Sequence, residues 1–311
     1  MVRIACFSDP HSDIQKARGY PHFLTSLRKF LEGLDINVIL VTGDIAGSTA
    51  ECQKFFDEIS FENIHQLFVP GNHDIWVNSQ SEDGSWIKYY QILPELCKEH
   101  GWGFLPKHPI IIDEVGFTGS IGWYDYSTRN ENWDAKFSIE DYMGKTNPDD
   151  GRVWMDRDFV RFGHSDTLVA EHFNAELLED ISWLLGRQLT GYRKIPGISE
   201  SSHINLNTHS IRKLVVGTHI VPFKSMVQHM HNTNWDYFSA FIGNKSLGEM
   251  LTQVSNLIDV VSISGHTHYP QHLILSGIQA LCVPFGYPHE WSRGYSSLEE
   301  MFNQRIKILD L

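Results

Sequence analysis

Basic residues are scarce in this chain of 311 residues: 25 lysines and arginines face 38 aspartates and glutamates, a formal net charge of −13. A surface that grips long nucleic acid through its phosphates needs the opposite balance, so that partner is disfavoured. A small anionic substrate is not excluded, because bound divalent cations reverse the potential locally. Cysteine is scarce as well. Cys6, Cys52, Cys97 and Cys282 form no C-x-x-C pair and sit in or beside apolar runs, which reads as buried reduced thiols and leaves no thiolate metal site. No apolar stretch reaches the length of a membrane span, and the first residues lack the basic and apolar regions of a signal peptide. The expectation is a cytoplasmic protein without membrane attachment. Solenoid-type repeats and low-complexity tracts are missing too.

What remains is an ordinary globular composition, 41% hydrophobic and 20% charged, of a length that suits one α/β domain over residues 1–311 with insertions. Residues 4–8 form a short apolar run ending in Asp9-Pro10-His11, and beyond it Phe23, Leu27, Phe30 and Leu34 recur at helical spacing. The phrase returns. Residues 38–42 end in Gly43-Asp44, 67–69 in Pro70-Gly71-Asn72-His73-Asp74, 214–218 in His219, and 260–264 in Gly265-His266-Thr267-His268. Ligands of α/β sheets bind outside the carboxyl ends of strands, so the five segments are predicted to point their polar tips at one place.

Between about 122 and 210 the pattern breaks, and this stretch reads as a cap or insertion. It opens with aromatic, charged and turn-forming residues, among them Trp123, Tyr124, Asp125, Trp133, Trp154 and Asp156-Arg157-Asp158. An amphipathic helix over 167–189 follows, with Leu168, Phe173, Leu177, Ile181 and Leu184 near one face, and then a polar stretch. Residues 273–275 and 278–283 flank Ser276-Gly277 as a hairpin, and 305–311 read as a last strand.

The strand-end residues Asp9, His11, Asp44, Asn72, His73, Asp74, His219, His266 and His268 are carboxylates, imidazoles and one amide. Imidazole with carboxylate suits first-row ions such as Mn, Fe, Zn or Co, whereas an all-oxygen set would suit Mg or Ca. Residues two apart on an extended segment face the same way, so Asp9 and His11 can share one ion, as can His266 and His268. Asp44 stands in the series where a bridge between two ions would come. Gly43, Gly71 and Gly265 precede ligands at sharp turns, where a missing Cβ lets the backbone approach the centre.

The ordered series D-x-H, G-D, G-N-H-D, a lone H and G-H-T-H resembles the calcineurin-like metallophosphoesterase family, with all five blocks present from Asp9 to His268. The resemblance implies a four-layer αββα sandwich of two mixed β-sheets. It also implies two divalent transition-metal ions (manganese favoured; iron, zinc, cobalt or nickel possible), with Asp9, His11 and His268 on one, Asn72, His219 and His266 on the other, and Asp44 bridging. His73 would face the substrate as an acid, oriented by Asp74 through its other ring nitrogen. A hydroxide activated by the ions would then cleave a phosphomonoester or phosphodiester. The segment from Val283 to Trp291 is similar to one ending in Gly-Tyr that follows the last histidine block in many bacterial members.

Elsewhere the plainer reading is adopted. His229-Met230-His231 reads as a solvated loop, and Arg129, Arg157 and Arg161 as surface ion-pair partners of Asp156 and Asp158. The tryptophans of the cap read as packing. Small phosphorylated metabolites or nucleotides are the expected substrates. Two other functions share this scaffold, a nuclease and a non-catalytic interaction protein. Net charge weighs against the first. The second would be expected to lose His73 or some ligands, yet none of the set is missing.

Overall fold

The computed structural model describes residues 1–77, 84–199, 208–291 and 295–311. Among the described residues eleven strands run in chain order: β1 (Arg3–Phe7), β2 (Val38–Thr42), β3 (His65–Val69), β4 (Trp102–Phe104), β5 (Ile110–Ile112), β6 (Val115–Ser120), β7 (Lys213–Thr218), β8 (Asp259–Ser264), β9 (Gln271–Leu275), β10 (Ile278–Cys282) and β11 (Lys307–Asp310). They form a five-stranded sheet in the order β11-β1-β2-β3-β4 and a six-stranded sheet in the order β5-β6-β7-β8-β10-β9. In both the inner strands are parallel and antiparallel strands lie at the edges: β11 in the first sheet, β5 and β9 in the second.

Alternation along the strands builds the layers. Ile4, Cys6, Val38, Leu40, Leu67 and Val69 of the first sheet meet Phe117, Val215, Val261, Ile263 and Leu281 of the second in one buried cluster. The opposite face of the first sheet, Ala5, Phe7, Ile39, Val41 and Phe68, packs on Leu27, Leu31, Phe55, Phe56 and Phe302 of the helices Phe23–Glu32, Thr49–Glu58 and Leu298–Arg305. Leu214, Val216 and Val260 of the second sheet pack outward on the helices Asp166–Leu184 and Lys245–Val254. The result is the four-layer αββα sandwich of two mixed sheets. The expected hairpin is present, β9 and β10 joined through Ser276 (φ 50°) and Gly277 (φ 81°), the two positive values a tight two-residue turn needs.

The helix expected over 167–189 runs from Asp166 to Leu184, and it is not amphipathic in the sense foreseen. Leu168 is 36% exposed, while His172, Asn174, Glu176 and Asp180 are buried. Its two sides explain this. One packs with strand residues of the second sheet, and the other meets the Trp86, Tyr90 and Phe162 rings. Three of these buried polar groups find partners there, Tyr90 Oη lying 2.8 Å from both His172 Nε2 and Glu176 Oε2, and Asp180 accepting from the Lys107 amide, while Asn174 donates to Ser246 Oγ at 2.9 Å. This helix is therefore a layer of the sandwich. The strandless chain is the part between Gly122 and Ser165, whose Tyr124, Tyr126, Phe137 and Tyr142 are buried with Tyr237 and Phe241. The polar stretch expected after the helix lies partly outside the described residues.

Candidate metal centre

Five of the parallel strands deliver their polar tips at the same end of the sandwich. Asp9 and His11 follow β1, Asp44 follows β2, Asn72 to Asp74 follow β3, His219 follows β7, and His266 and His268 follow β8. The expected extended geometry of the paired blocks does not occur. Asp9 (φ 52°), His11 (φ 39°), Asp44 (φ 54°), His266 (φ 69°) and His268 (φ 54°) all lie in the left-handed region, which typically costs about 1–3 kcal/mol per non-glycine residue. Turns, not strand alternation, aim these side chains. Backbone bonds between the tips hold them: Asp9 N donates to Gly43 O at 2.9 Å, His11 N to Asp44 O at 3.0 Å, and His266 N to Asp9 Oδ2 at 3.0 Å.

The side chains converge in overlapping groups. Asp9, His11 and His268 bring one ligand atom each within 4.8 Å of one another, as do Asp44, His219 and His266, and as do His11, Asp44 and His73. Within the first group His11 Nε2 is 3.1 Å from His268 Nε2, and His268 Nε2 is 3.5 Å from Asp9 Oδ1. Within the second, His219 Nε2 is 3.0 Å from His266 Nδ1, 3.3 Å from Asp44 Oδ2 and 3.0 Å from Asn72 Oδ1. Two nitrogens each about 2.1 Å from one ion lie roughly 3.0–3.4 Å apart at right-angled to tetrahedral geometry, so these spacings fit a shared cation.

The rings are fixed from behind. His219 Nδ1 bonds the Thr42 carbonyl at 2.9 Å, His266 Nε2 the Phe241 carbonyl at 3.1 Å, and His268 Nδ1 the Glu290 carboxylate at 3.1 Å. Each such bond takes one ring proton, so that a cation displacing the other proton would meet the lone pair of the nitrogen facing the centre. His11 differs, its Nδ1 buried without a partner among the described residues. The imidazoles split electrostatically: burial and the neighbouring His219 press His266 down to about 3. His219, despite its burial, is raised to about 9 by the Asp44 charge and hydrogen bond. Burial opposes ionisation of Asp44, yet the surrounding His219, His73 and His11 hold it well below the usual carboxylate range.

His73 stands at the rim, its Nε2 3.9 Å from Asp44 Oδ2 and its ring stacked on Trp76 at 3.7 Å between centroids. The expected bond from Asp74 to this ring is not made among the described residues. Asp74 instead accepts the amides of Asp44 (2.8 Å), Ile45 (2.9 Å), Ala46 (3.2 Å) and Gly71 (2.7 Å). It pins the turn after β2 to the turn after β3. A carboxylate accepts where the chain offers a row of unpaired N–H groups, and here that demand outweighs the imidazole.

The sequence profile of the calcineurin-like phosphoesterases matches residues 2–270. The chain is a calcineurin-like phosphoesterase. This phosphoesterase is a hydrolase of the metal-dependent class, with groups of candidate metal ligands at its strand ends. It is 24% identical over 259 residues to the uncharacterized protein L509 of Acanthamoeba polyphaga mimivirus, spanning 82% of this chain and 80% of L509. It is 22% identical over 267 residues to the [acyl-carrier-protein] phosphodiesterase PptH of Mycobacterium tuberculosis, spanning 82% of this chain and 70% of PptH. The crystal structure of that phosphopantetheinyl hydrolase superposes with a TM-score of 0.71 at 18% identity, covering 98% of this chain and 95% of PptH, so the two share a fold.

Two carboxylates beside the centre of the phosphoesterase escape sequence reasoning. Glu290 orients His268 from the segment that ends in Trp291; the Gly286-Tyr287 pair pointed to that segment, but nothing in the pattern singled out the glutamate. Tyr287 lies over the same wall, 4.7 Å from His11 and 4.5 Å from His268 between ring centroids. Asp156, expected in a surface ion pair, is buried and accepts from Asn72 Nδ2 at 2.9 Å. Arg157 pairs with Asp158 alone of those two, Arg129 pairs with Asp134, and Arg161 donates to backbone carbonyls. Among the described residues no helix is long and apolar enough to cross a membrane.

Proposed function

We propose that this chain hydrolyses phosphoric esters at a dinuclear centre, Asp9, His11 and His268 holding one divalent ion, Asn72, His219 and His266 the other, and Asp44 lying between them. The observation that carries this reading is the position of Asp44, whose Oδ2 is 3.3 Å from His219 Nε2 on one side and 3.8 Å from His11 Nε2 on the other. The mixed imidazole and carboxylate donors favour a first-row ion, manganese first, with iron, zinc, cobalt and nickel fitting the same set. Bound there, such ions supply Lewis acidity to phosphate oxygens and acidify an attacking water.

The chain's own groups do the rest. His73 reaches the centre from the rim, where its Nε2 can hand a proton to the departing oxygen, and Trp76 keeps the ring in that plane. Asp74 acts at one remove, by holding the two turns that carry Asp44 and His73. The chain is read as a single domain over 1–311, and the part of the expected 122–210 insertion up to residue 165 as its cap: Trp154 stands edge-on to His266 at 5.6 Å. Small phosphorylated metabolites or nucleotides remain the favoured substrates, and similarity to PptH makes a pantetheine phosphodiester the first natural class to try.

The test is hydrolysis of bis-p-nitrophenyl phosphate and p-nitrophenyl phosphate by metal-stripped protein with each ion added back, beside Asp44→Asn. Activity should return with a transition metal and be lost in the variant. Bound ions without turnover of either ester would instead favour a binding protein on this scaffold.

A further inference from the structure

We propose that Asp156 is a positioning residue for the hydrolytic centre, setting through one carboxylate oxygen both the amide orientation of Asn72 and the indole against which His73 lies. The inference rests on the two-ion reading above. Asp156 Oδ1 accepts from Asn72 Nδ2 at 2.9 Å and from Trp76 Nε1 at 2.7 Å. Its Oδ2 accepts from Trp154 Nε1 at 2.8 Å and from the Tyr124 hydroxyl at 3.1 Å. These four donors match the roughly four lone-pair sites of a carboxylate, and the residue is 1% exposed.

The consequence for Asn72 is directional. The two ends of an asparagine amide have nearly the same shape, and only the hydrogen-bond partners decide which end faces where. Asp156 accepts and cannot donate, so it draws the NH2 toward itself and turns Oδ1 toward His219 Nε2, 3.0 Å away. The end that can ligate a cation thereby faces the centre. An asparagine turned the other way would present N–H groups to the ion.

The consequence for His73 runs through Trp76. With its N–H held by Asp156 and its ring stacked on Phe159 at 4.9 Å, the indole is a fixed wall, and His73 lies on it at 3.7 Å and 24°. The backbone repeats the link, Val77 N donating to Phe159 O at 2.8 Å. A residue of the strandless segment between Gly122 and Ser165 thus governs two groups of the turn after β3, a ligand and the candidate acid.

The readout is ion binding, by calorimetric and electron paramagnetic resonance titration of metal-stripped protein with manganese alone. In Asp156→Asn one of the two ions should bind about 10- to 100-fold more weakly, the range for losing a ligand's outer partner, with the other unchanged. Asp166→Asn is the matched control. Asp166 is a carboxylate of the same region that accepts from Trp123 Nε1 at 2.8 Å, from Lys145 Nζ at 2.9 Å and from the Tyr126 hydroxyl, and none of these bonds reaches Asn72 or Trp76. It should lose stability and keep both ions. Wild-type affinities for both ions in Asp156→Asn, or the same loss in Asp166→Asn, would overturn the proposal. If Asp156→Asn does not fold, Trp76→Phe keeps a ring and removes one donor. Its rate on an alkyl phosphate should then fall several-fold more than on p-nitrophenyl phosphate, and an unchanged ratio would count against Asp156. A wild-type protein that binds no ion would defeat the two-ion reading itself, a distinct result.

Discussion

His219 Nε2 faces His266 Nδ1 at 3.0 Å, and in each ring the other nitrogen is engaged by a backbone carbonyl, Thr42 for His219 and Phe241 for His266. Without an ion a single proton on the raised His219 can bridge that gap to the lone pair of His266. A cation bound there would take the place of that proton and be held by both lone pairs.

Removal of metal should therefore destabilise the fold at its centre. An ion present at about 100 times its Kd adds about 2.7 kcal/mol to folding when it binds only the native state. Thermal unfolding of chelator-treated protein, before and after manganese is returned, should show the midpoint rising by several degrees. A midpoint indifferent to every transition ion would contradict the site.

His73→Ala should separate substrates by leaving group. A general acid contributes about 10²–10⁴-fold where the departing oxygen needs a proton, and little where it leaves as a stable phenolate. Alkyl phosphates should lose most of their turnover while p-nitrophenyl esters keep much of theirs, with bound metal unchanged. Equal losses on both would assign His73 to the ions instead.

Glu290→Gln should weaken the ion held by His268. The carboxylate takes the His268 ring proton at 3.1 Å and, with Asp9, raises that imidazole to about 10 against its burial. Loss of such a partner typically lowers metal affinity about 10- to 100-fold. Calorimetric titration should find one weakened site of two, and two intact sites would show that Glu290 serves the local turn only.

Gly71→Ala should disable the centre while leaving every candidate ligand in the sequence. A Cβ there would stand 2.5 Å from the Asp44 amide and overlap Asp44 Oδ1. Overpacking typically costs about 1–3 kcal/mol, and this position, between two turns tied by Asp74, has backbone on the blocked side and little room to yield. Chemical denaturation should report the loss, together with reduced ion uptake.

Most of the fold was legible because its strands are short continuous apolar runs, each closed by a polar turn. β2 coincides with the run at 38–42, and the hairpin about Ser276-Gly277 is where turn chemistry put it. The helix from Asp166 to Leu184 was legible in place but not in character. The amphipathic reading gave no role to His172 and Glu176, and only the arrival of Tyr90 from a distant segment gives them a partner in the interior. Arg157 misled for a similar reason: adjacency suggested a partner in Asp156, whereas three aromatic donors and Asn72 had already filled that carboxylate.

The order of chemistry-bearing residues after apolar runs, Asp9 through His268, determined the family and the kind of donors at its centre, since those follow from residue type and position along parallel strands. Only the tertiary structure decided how they are aimed. The left-handed turns at Asp9, His11, Asp44, His266 and His268, the choice of Asp74 to bind backbone amides, and the carboxylates of Glu290 and Asp156 behind the candidate ligands all depend on segments far apart in the chain meeting in space. Hydrogen bonds of that range leave no periodicity in a sequence.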